Sequence, residues 1–161
     1  LVSPGGLPRA PALVPLSRDH HDALVEVLHV RRAAGKPAAG RRFAAFFRSD
    51  VEGHMADEEA LVLPAVASAH PAGVERVLRE HAELRGAVAA LDRALEAGDD
   101  PSLLMEEAAR LLHDHVRYEE RVFFMGVQEA LSVEQLEALG RALEERRAAR
   151  GVVLACRIPP R

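Results

Sequence analysis

Tryptophan is absent from this chain, tyrosine occurs once, and aromatic residues make up only 4% of it, while Ala, Leu, Glu and Arg abound. That balance favours helix over sheet. Cysteine also occurs once, as Cys156, which excludes an intramolecular disulfide framework. With no histidine near it in sequence, Cys156 is assigned no chemistry. Long hydrophobic runs are missing too. The longest apolar stretch, Ala60 to Ala69, is too short to span a bilayer and contains Pro64 and Ser68. There is no basic excess: the formal charge of −4 leaves no electropositive footprint for nucleic acid. The beginning carries Pro4, Gly5, Gly6, Pro8 and Pro11 where a secretory leader would carry an apolar run. The expectation is a soluble, cytoplasmic protein of one domain, with neither membrane nor nucleic acid as partner.

What the chain does contain is helical punctuation. Residues 1–14 form a Pro/Gly-rich lead with no periodicity, expected to be mobile. The pattern then predicts five helices. The first runs from Ser17, as N-cap, to Ala34. The second runs from Gly40 to Ala67, with Pro64 kinking or closing its last turn. The third runs from Pro71 to Ala97 before Gly98. Asp100 caps the fourth, which reaches Leu131. Ser132-x-x-Gln135 resembles a capping box for a fifth, Val133 to Arg150, closed by Gly151. Residues 151–161 are expected to be a loose tail. Short connections imply antiparallel neighbours, so the fold class is all-α: an up-down-up-down four-helix bundle with an added C-terminal helix. That last helix is charged nearly all round, and its stripe Leu136, Leu139 and Leu143 is placed on the outside of the bundle.

The most informative feature is a repeat. Arg18-Asp19-His20 recurs as Arg79-Glu80-His81, and His54-x-x-x-Glu58-Glu59 recurs as His115-x-x-x-Glu119-Glu120. The spacing is 61 residues each time, from 20 to 81, 54 to 115 and 58 to 119. Helices one and two are thus a hairpin, and helices three and four its copy. One His-x-x-x-Glu pair is a weak signal, since a solvated ion pair has the same spacing. Two pairs in register with two Arg-acid-His triplets are a strong one. Steps of three, four and seven from each histidine reach apolar residues: Leu16 and Leu24 from His20, Val51 and Leu61 from His54, Val77 and Leu84 from His81, Leu112 and Val122 from His115. All six residues therefore point inward. Four buried imidazoles and two buried carboxylates are very costly without a partner, and a metal removes that cost. Mixed His/carboxylate ligation suits iron, manganese or zinc.

The candidate metal ligands are His20, His54, Glu58, His81, His115 and Glu119. His20 is preferred to His21 because the copy of His21 is Ala82. His29, His70 and His113 also lack copies and are set aside. Glu59 and Glu120 lie about 100° around the helix from Glu58 and Glu119, and read as supporting or solvated residues. Tyr118 is either a boundary tyrosine or a hydrogen-bond donor near the metal. Phe43, Phe46, Phe47, Phe123 and Phe124 read as core filler that keeps the site dry. Small residues at Gly86 and Gly126 are candidates for widening access. A core without metal is expected to be least stable at low pH, where its histidines would charge and repel.

This arrangement resembles the hemerythrin-like (HHE cation-binding) family over about residues 13 to 131. The resemblance rests on Leu16-Ser-Arg-Asp-His20, on His54-Met-Ala-Asp-Glu58-Glu59 running to Leu63-Pro64, and on His115-Val-Arg-Tyr-Glu119-Glu120 running to Phe123-Phe124. It implies a non-haem di-iron centre, oxo- or hydroxo-bridged, with Glu58 and Glu119 as bridges and the four histidines as caps. It implies a small diatomic or peroxide ligand. The chain departs from the oxygen carriers of that family. They have a fifth histidine where this chain offers only Val77 or Arg85, and an aspartate one residue beyond the place of Glu119. About one open position per iron follows, with water or hydroxide on it at rest. The expected function is that of a bacterial-type protein that binds or reacts with O2, peroxide or NO, for sensing, redox protection or iron handling. The alternative is a metal-stabilised helical interaction domain, with a protein partner and no redox turnover.

Overall fold

The computed structural model describes residues 8–33 and 35–157, with side chains up to residue 151. Ala34, residues 1–7 of the lead and residues 158–161 of the tail lie outside the described residues. The first helix, α1, is Val14–Arg32, entered through a 3-10 turn at Pro11–Leu13. Helix α2 spans residues 37–66, α3 is Pro71–Ala97, α4 spans residues 102–130, and α5 is Val133–Arg157. The turns that join the bundle helices are short and chemically specified. Gly35 and Gly98 both adopt positive φ, 77° and 78°, a region open to glycine at little cost. Asp100 accepts a hydrogen bond from the Ser102 backbone N–H at the start of α4. Ser132 and Gln135 make the reciprocal capping box that opens α5.

Helices α1 to α4 close an up-down-up-down bundle, with α1 against α4 and α2, and α3 against the same two. Two apolar clusters fill it. One contains Val27, Phe43, Leu84, Leu91, Met105 and Leu112. The other contains Leu16, Val62, Val77, Phe123, Phe124 and Val127. Between them lies a layer of buried histidine and glutamate. Each histidine sits in its helix between a member of one cluster and a member of the other: Leu16 and Ala23 flank His20, Val77 and Leu84 flank His81.

The second and fourth helices are not regular. Glu58–Val62 and Glu119–Phe123 are π turns, related by the same repeat, and each begins at the second residue of a ligand pair. A π turn inserts one residue. The inward positions therefore slip from the expected Leu61 and Val122 to Val62 and Phe123. Val62 and Phe123 are 0% exposed, whereas Val122 is 49% exposed. Proline is not the cause, because Met125 stands where the first half has Pro64. A third π turn, Phe47–Val51, has no counterpart in α4, which is α-helical over Ser102–Tyr118.

Four further expectations change. Ser17 is not a cap: α1 begins earlier, and the buried Ser17 hydroxyl donates to Glu120 Oε1 at 2.6 Å. Within the lead, Arg9, Ala12 and Leu13 are buried, and Pro11–Leu13 packs against α5. The Leu139 and Leu143 side chains of α5 are buried in the second cluster, so this stripe is an interface with the bundle. The helix itself continues past Gly151 to Arg157.

Candidate metal centre

All six ligand candidates converge. His20, His54, Glu58, His81, His115 and Glu119 are buried, with both glutamates 0% exposed. Two ligand groups result, His20–His54–Glu58–Glu119 and Glu58–His81–His115–Glu119, in each of which one atom per residue lies within 4.8 Å of all the others. Both glutamates belong to both groups. His20 Nε2 is 3.0 Å from Glu119 Oε2, and His115 Nε2 is 3.2 Å from the same oxygen. His54 Nε2 is 3.3 Å from Glu58 Oε1, and His81 Nε2 is 3.4 Å from Glu58 Oε2. Each glutamate thus spans the two groups, one oxygen toward each pair of histidines or shared between them.

The outer nitrogen of every imidazole is held by a carboxylate. His20 Nδ1 donates to Glu120 at 2.7 Å and His81 Nδ1 to Glu59 at 2.8 Å. His54 Nδ1 donates to Asp19 at 3.0 Å and His115 Nδ1 to Glu80 at 2.9 Å. These four acids obey the repeat, 59 with 120 and 19 with 80. Glu59 and Glu120 thus support ligand candidates and are not merely solvated. Asp19 and Glu80 are copies of each other in the Arg-acid-His triplets, but the triplets alone assign them no role.

The ionisation of the four acids sets the tautomers. Burial works against the Asp19 charge, but hydrogen bonds from His54 and Arg147 overcome it and hold the carboxyl at about 2. Glu120, likewise opposed by burial, is held at about 2 by His20 and Ser17. Glu59 and Glu80 are also lowered, against burial, by their arginine and histidine partners. An ionised carboxylate only accepts, so each Nδ1 carries its hydrogen and each Nε2 faces the interior. There His20 Nε2 and His54 Nε2 stand 3.0 Å apart. Two nitrogen lone pairs at that distance repel unless a proton or a cation shares them.

Fit to a metal is tested by the polar atoms left over. Both oxygens of Glu58 and of Glu119, and Nε2 of His81 and His115, are buried without a hydrogen-bond partner among the described residues. Stranded buried acceptors of this kind are costly, and a cation satisfies them. The electrostatics agree. Burial disfavours the charged form of His54, yet the Glu58 charge and the Asp19 hydrogen bond raise it well above its ordinary value. His20 and His81 are raised against burial by the same glutamate–carboxylate surroundings. Glu119 falls well below its ordinary value, because His115 and His20 outweigh its burial. The layer thus demands positive charge. Glu58, Glu119 and the outer acids favour the charged forms of His20, His54 and His81, although the His54 charge opposes that of His20 as the expected repulsion would.

The other sequence candidates are placed as follows. Tyr118 is half-buried, with the Arg76 guanidinium 3.5 Å above its ring, and its hydroxyl makes no hydrogen bond among the described residues. Gly126 packs against His70, whose Nε2 would stand 2.2 Å from an added Cβ, and Gly86 is on the surface with nothing within 4 Å. Neither widens access. His21 and His29 are exposed, and His113 pairs with Asp114. The opening that does exist lies elsewhere. A cavity of about 240 Å³ reaches His20, His54 and His115 among α1, α2, α4 and α5, beside Ser49 and Val51 of the unpaired π turn. His81 does not line it.

A four-helix bundle whose core gathers four imidazoles and two shared carboxylates is compatible with a helical metal-binding protein. A family model described as the hemerythrin HHE cation binding domain matches residues 13–126. The chain belongs to that family. No curated protein and no solved structure matches it. No helix among the described residues is long and apolar enough to cross a membrane.

Proposed function

We propose that this chain holds two iron ions and uses them to bind or react with a small oxidant or gas: O2, peroxide or NO. His20 and His54 would hold one ion and His81 and His115 the other, with Glu58 and Glu119 placed to serve both. The observation that carries this reading is the pair of four-residue ligand groups sharing both glutamates. The mixture of imidazole and carboxylate suits iron, manganese and zinc alike, and iron is what the family resemblance implies. When bound, a di-iron pair supplies redox and small-ligand chemistry. The chain's own residues fix the imidazole tautomers through Asp19, Glu59, Glu80 and Glu120. Phe123 and Phe124 are buried beside the layer, and the cavity that reaches His20, His54 and His115 has room for a small molecule.

With two histidines, two bridging carboxylates and an oxo or hydroxo bridge, each iron would keep about one position for an exogenous ligand. Reconstitution with Fe(II) under anaerobic conditions should give two iron atoms per chain. Absorption spectra should then change on adding NO or azide, and the diferrous protein should oxidise in air without forming a long-lived oxygen adduct. One metal or none per chain overturns the two-iron reading. A reversible oxygen spectrum that survives repeated deoxygenation returns the protein to the carriers. Spectra indifferent to O2, NO and peroxide leave a metal-stabilised helical domain. Repeated consumption of oxidant marks an enzyme, and a stable adduct marks a sensor or store.

A further inference from the structure

Each histidine–carboxylate pair of the centre ends on an arginine, and here the repeat breaks. Arg85 donates to Glu59 behind His81 at 2.8 Å, and Arg76 donates to Glu80 behind His115 at 2.6 Å. Both arginines lie on α3, inside the duplicated unit. The equivalent positions in the first half are Leu24 and Pro15, which carry no charge. The missing cations come from outside the repeat. Arg9, with its side chain 1% exposed, donates to Glu120 behind His20 at 2.7 Å. Arg147 of α5 donates to Asp19 behind His54. The two segments that supply them are joined: Pro11–Leu13 packs on α5, and an added Cβ on Gly140 would meet Ala12 at 3.2 Å. A second tie anchors α5 beside the same ligand. Asp57, 0% exposed and one turn from His54, accepts from Arg146 and Arg150 at 3.0 and 2.6 Å.

We propose that residues 9–13 and α5 form a clasp over one metal position only, that of His20 and His54, with Arg9 and Arg147 as positioning residues acting through Glu120 and Asp19. The inference rests on the two-ion reading given above. A metal on Nε2 makes Nδ1–H a better donor, so it tightens the carboxylate and, through it, the arginine. Coupling between two equilibria is reciprocal: if a docked α5 raises the metal affinity of this position, metal there must secure α5 by the same factor, typically about 5–150-fold. The His81 and His115 position, backed from within the bundle, takes no part. α5 is thereby the element through which the state of one ion is felt at the surface, and through which a contact on that surface acts back on the ion.

The test uses the full chain reconstituted with Fe(II), first counting iron. Hydrogen exchange over residues 133–151 is then measured with iron and after chelation, and the two ions are distinguished by Mössbauer spectroscopy and stepwise chelator competition. In the parent, iron should slow exchange in α5 by about fivefold or more. Arg147→Gln should abolish that difference, weaken one ion by about tenfold or more, and leave the other nearly unchanged. Arg147→Lys should restore part of both effects. Leu143→Ala, which loosens α5 without touching a charge, should weaken the same ion, whereas Arg85→Gln should weaken the other ion and keep α5 protected by iron. Exchange in α5 that ignores iron in the parent overturns the clasp, as does weakening of one and the same ion by Arg147→Gln and Arg85→Gln. A parent chain with fewer than two irons overturns the proposed function, and the clasp falls with it.

Discussion

At the scale of single residues, the centre depends on which groups touch Nε2 and which touch Nδ1. In the proposed two-ion reading Glu58 and Glu119 serve both metal positions, so Glu58→Ala or Glu119→Ala should cost metal at both, read as iron per chain after desalting. Full retention of two irons in either variant would contradict the bridging role. The four outer carboxylates act differently, by fixing tautomer and orientation. Asp19→Ala and Glu80→Ala should each lower metal affinity by about 10–100-fold, and Glu59→Ala should do the same through His81. Competition against a chelator of known affinity measures this, and an unchanged affinity in all three would show that the hydrogen bonds to Nδ1 carry no weight. The six ligand candidates are legible in the chain because ligation needs particular residue types, and the repeat displays them twice. Asp19 and Glu80 are harder to read. An acid beside a histidine is common, and only the packing of α1 against α2 and of α3 against α4 shows that each acid serves the histidine of the neighbouring helix.

At the scale of helices, the π turns decide what faces the core. A regular helix would turn Val122 inward, but the inserted residue after Glu119 leaves it exposed and buries Phe123 instead. Thermal or denaturant unfolding checks this register. Val122→Asp should change stability by no more than about 0.5 kcal/mol, the range of ordinary surface substitutions. Phe123→Ala should cost about 3–5 kcal/mol, the range for removing a buried aromatic ring. The reverse order would restore the regular helix. The existence and order of the helices follow from caps and breakers, among them Asp100, Ser132 with Gln135, and Gly98. The π turns left no such mark. They relieve a demand set by the core, which is to present His115, Glu119 and Phe123 together, and local propensity does not report it.

At the scale of the molecule, metal, protons and fold are linked. His20, His54 and His81 are raised above their ordinary values by protein groups alone. Their contribution to the stability of metal-free protein is therefore fully present below the unfolded-state value of about 6.5 and is lost as pH rises through the raised folded values. Asp19 and Glu120, held at about 2, contribute above the unfolded carboxylate values of about 4, and that contribution is lost as pH falls toward 2. Melting temperatures of chelated protein should accordingly decline toward both acid and alkaline pH. Addition of Fe(II) near neutrality should release protons and raise the melting temperature most on the alkaline side. Calorimetry in two buffers of different ionisation enthalpy measures the protons, and zero release would show that the imidazoles were neutral beforehand.

The sequence by itself determined the helical class, the duplicated hairpin and the identity of the six inward residues. Each depends on residue type and periodicity within one helix, or on a comparison of the chain with itself. Only the tertiary structure decided that Asp19 and Glu80 serve neighbouring imidazoles, that π turns move the inward register by one residue, and that Arg9 and Arg147 complete one half of the centre from outside the repeat. Those facts join residues as far apart as Asp19 and Arg147. The energy that selects them comes from satisfying buried charge across helices, a quantity that exists only once the helices are packed.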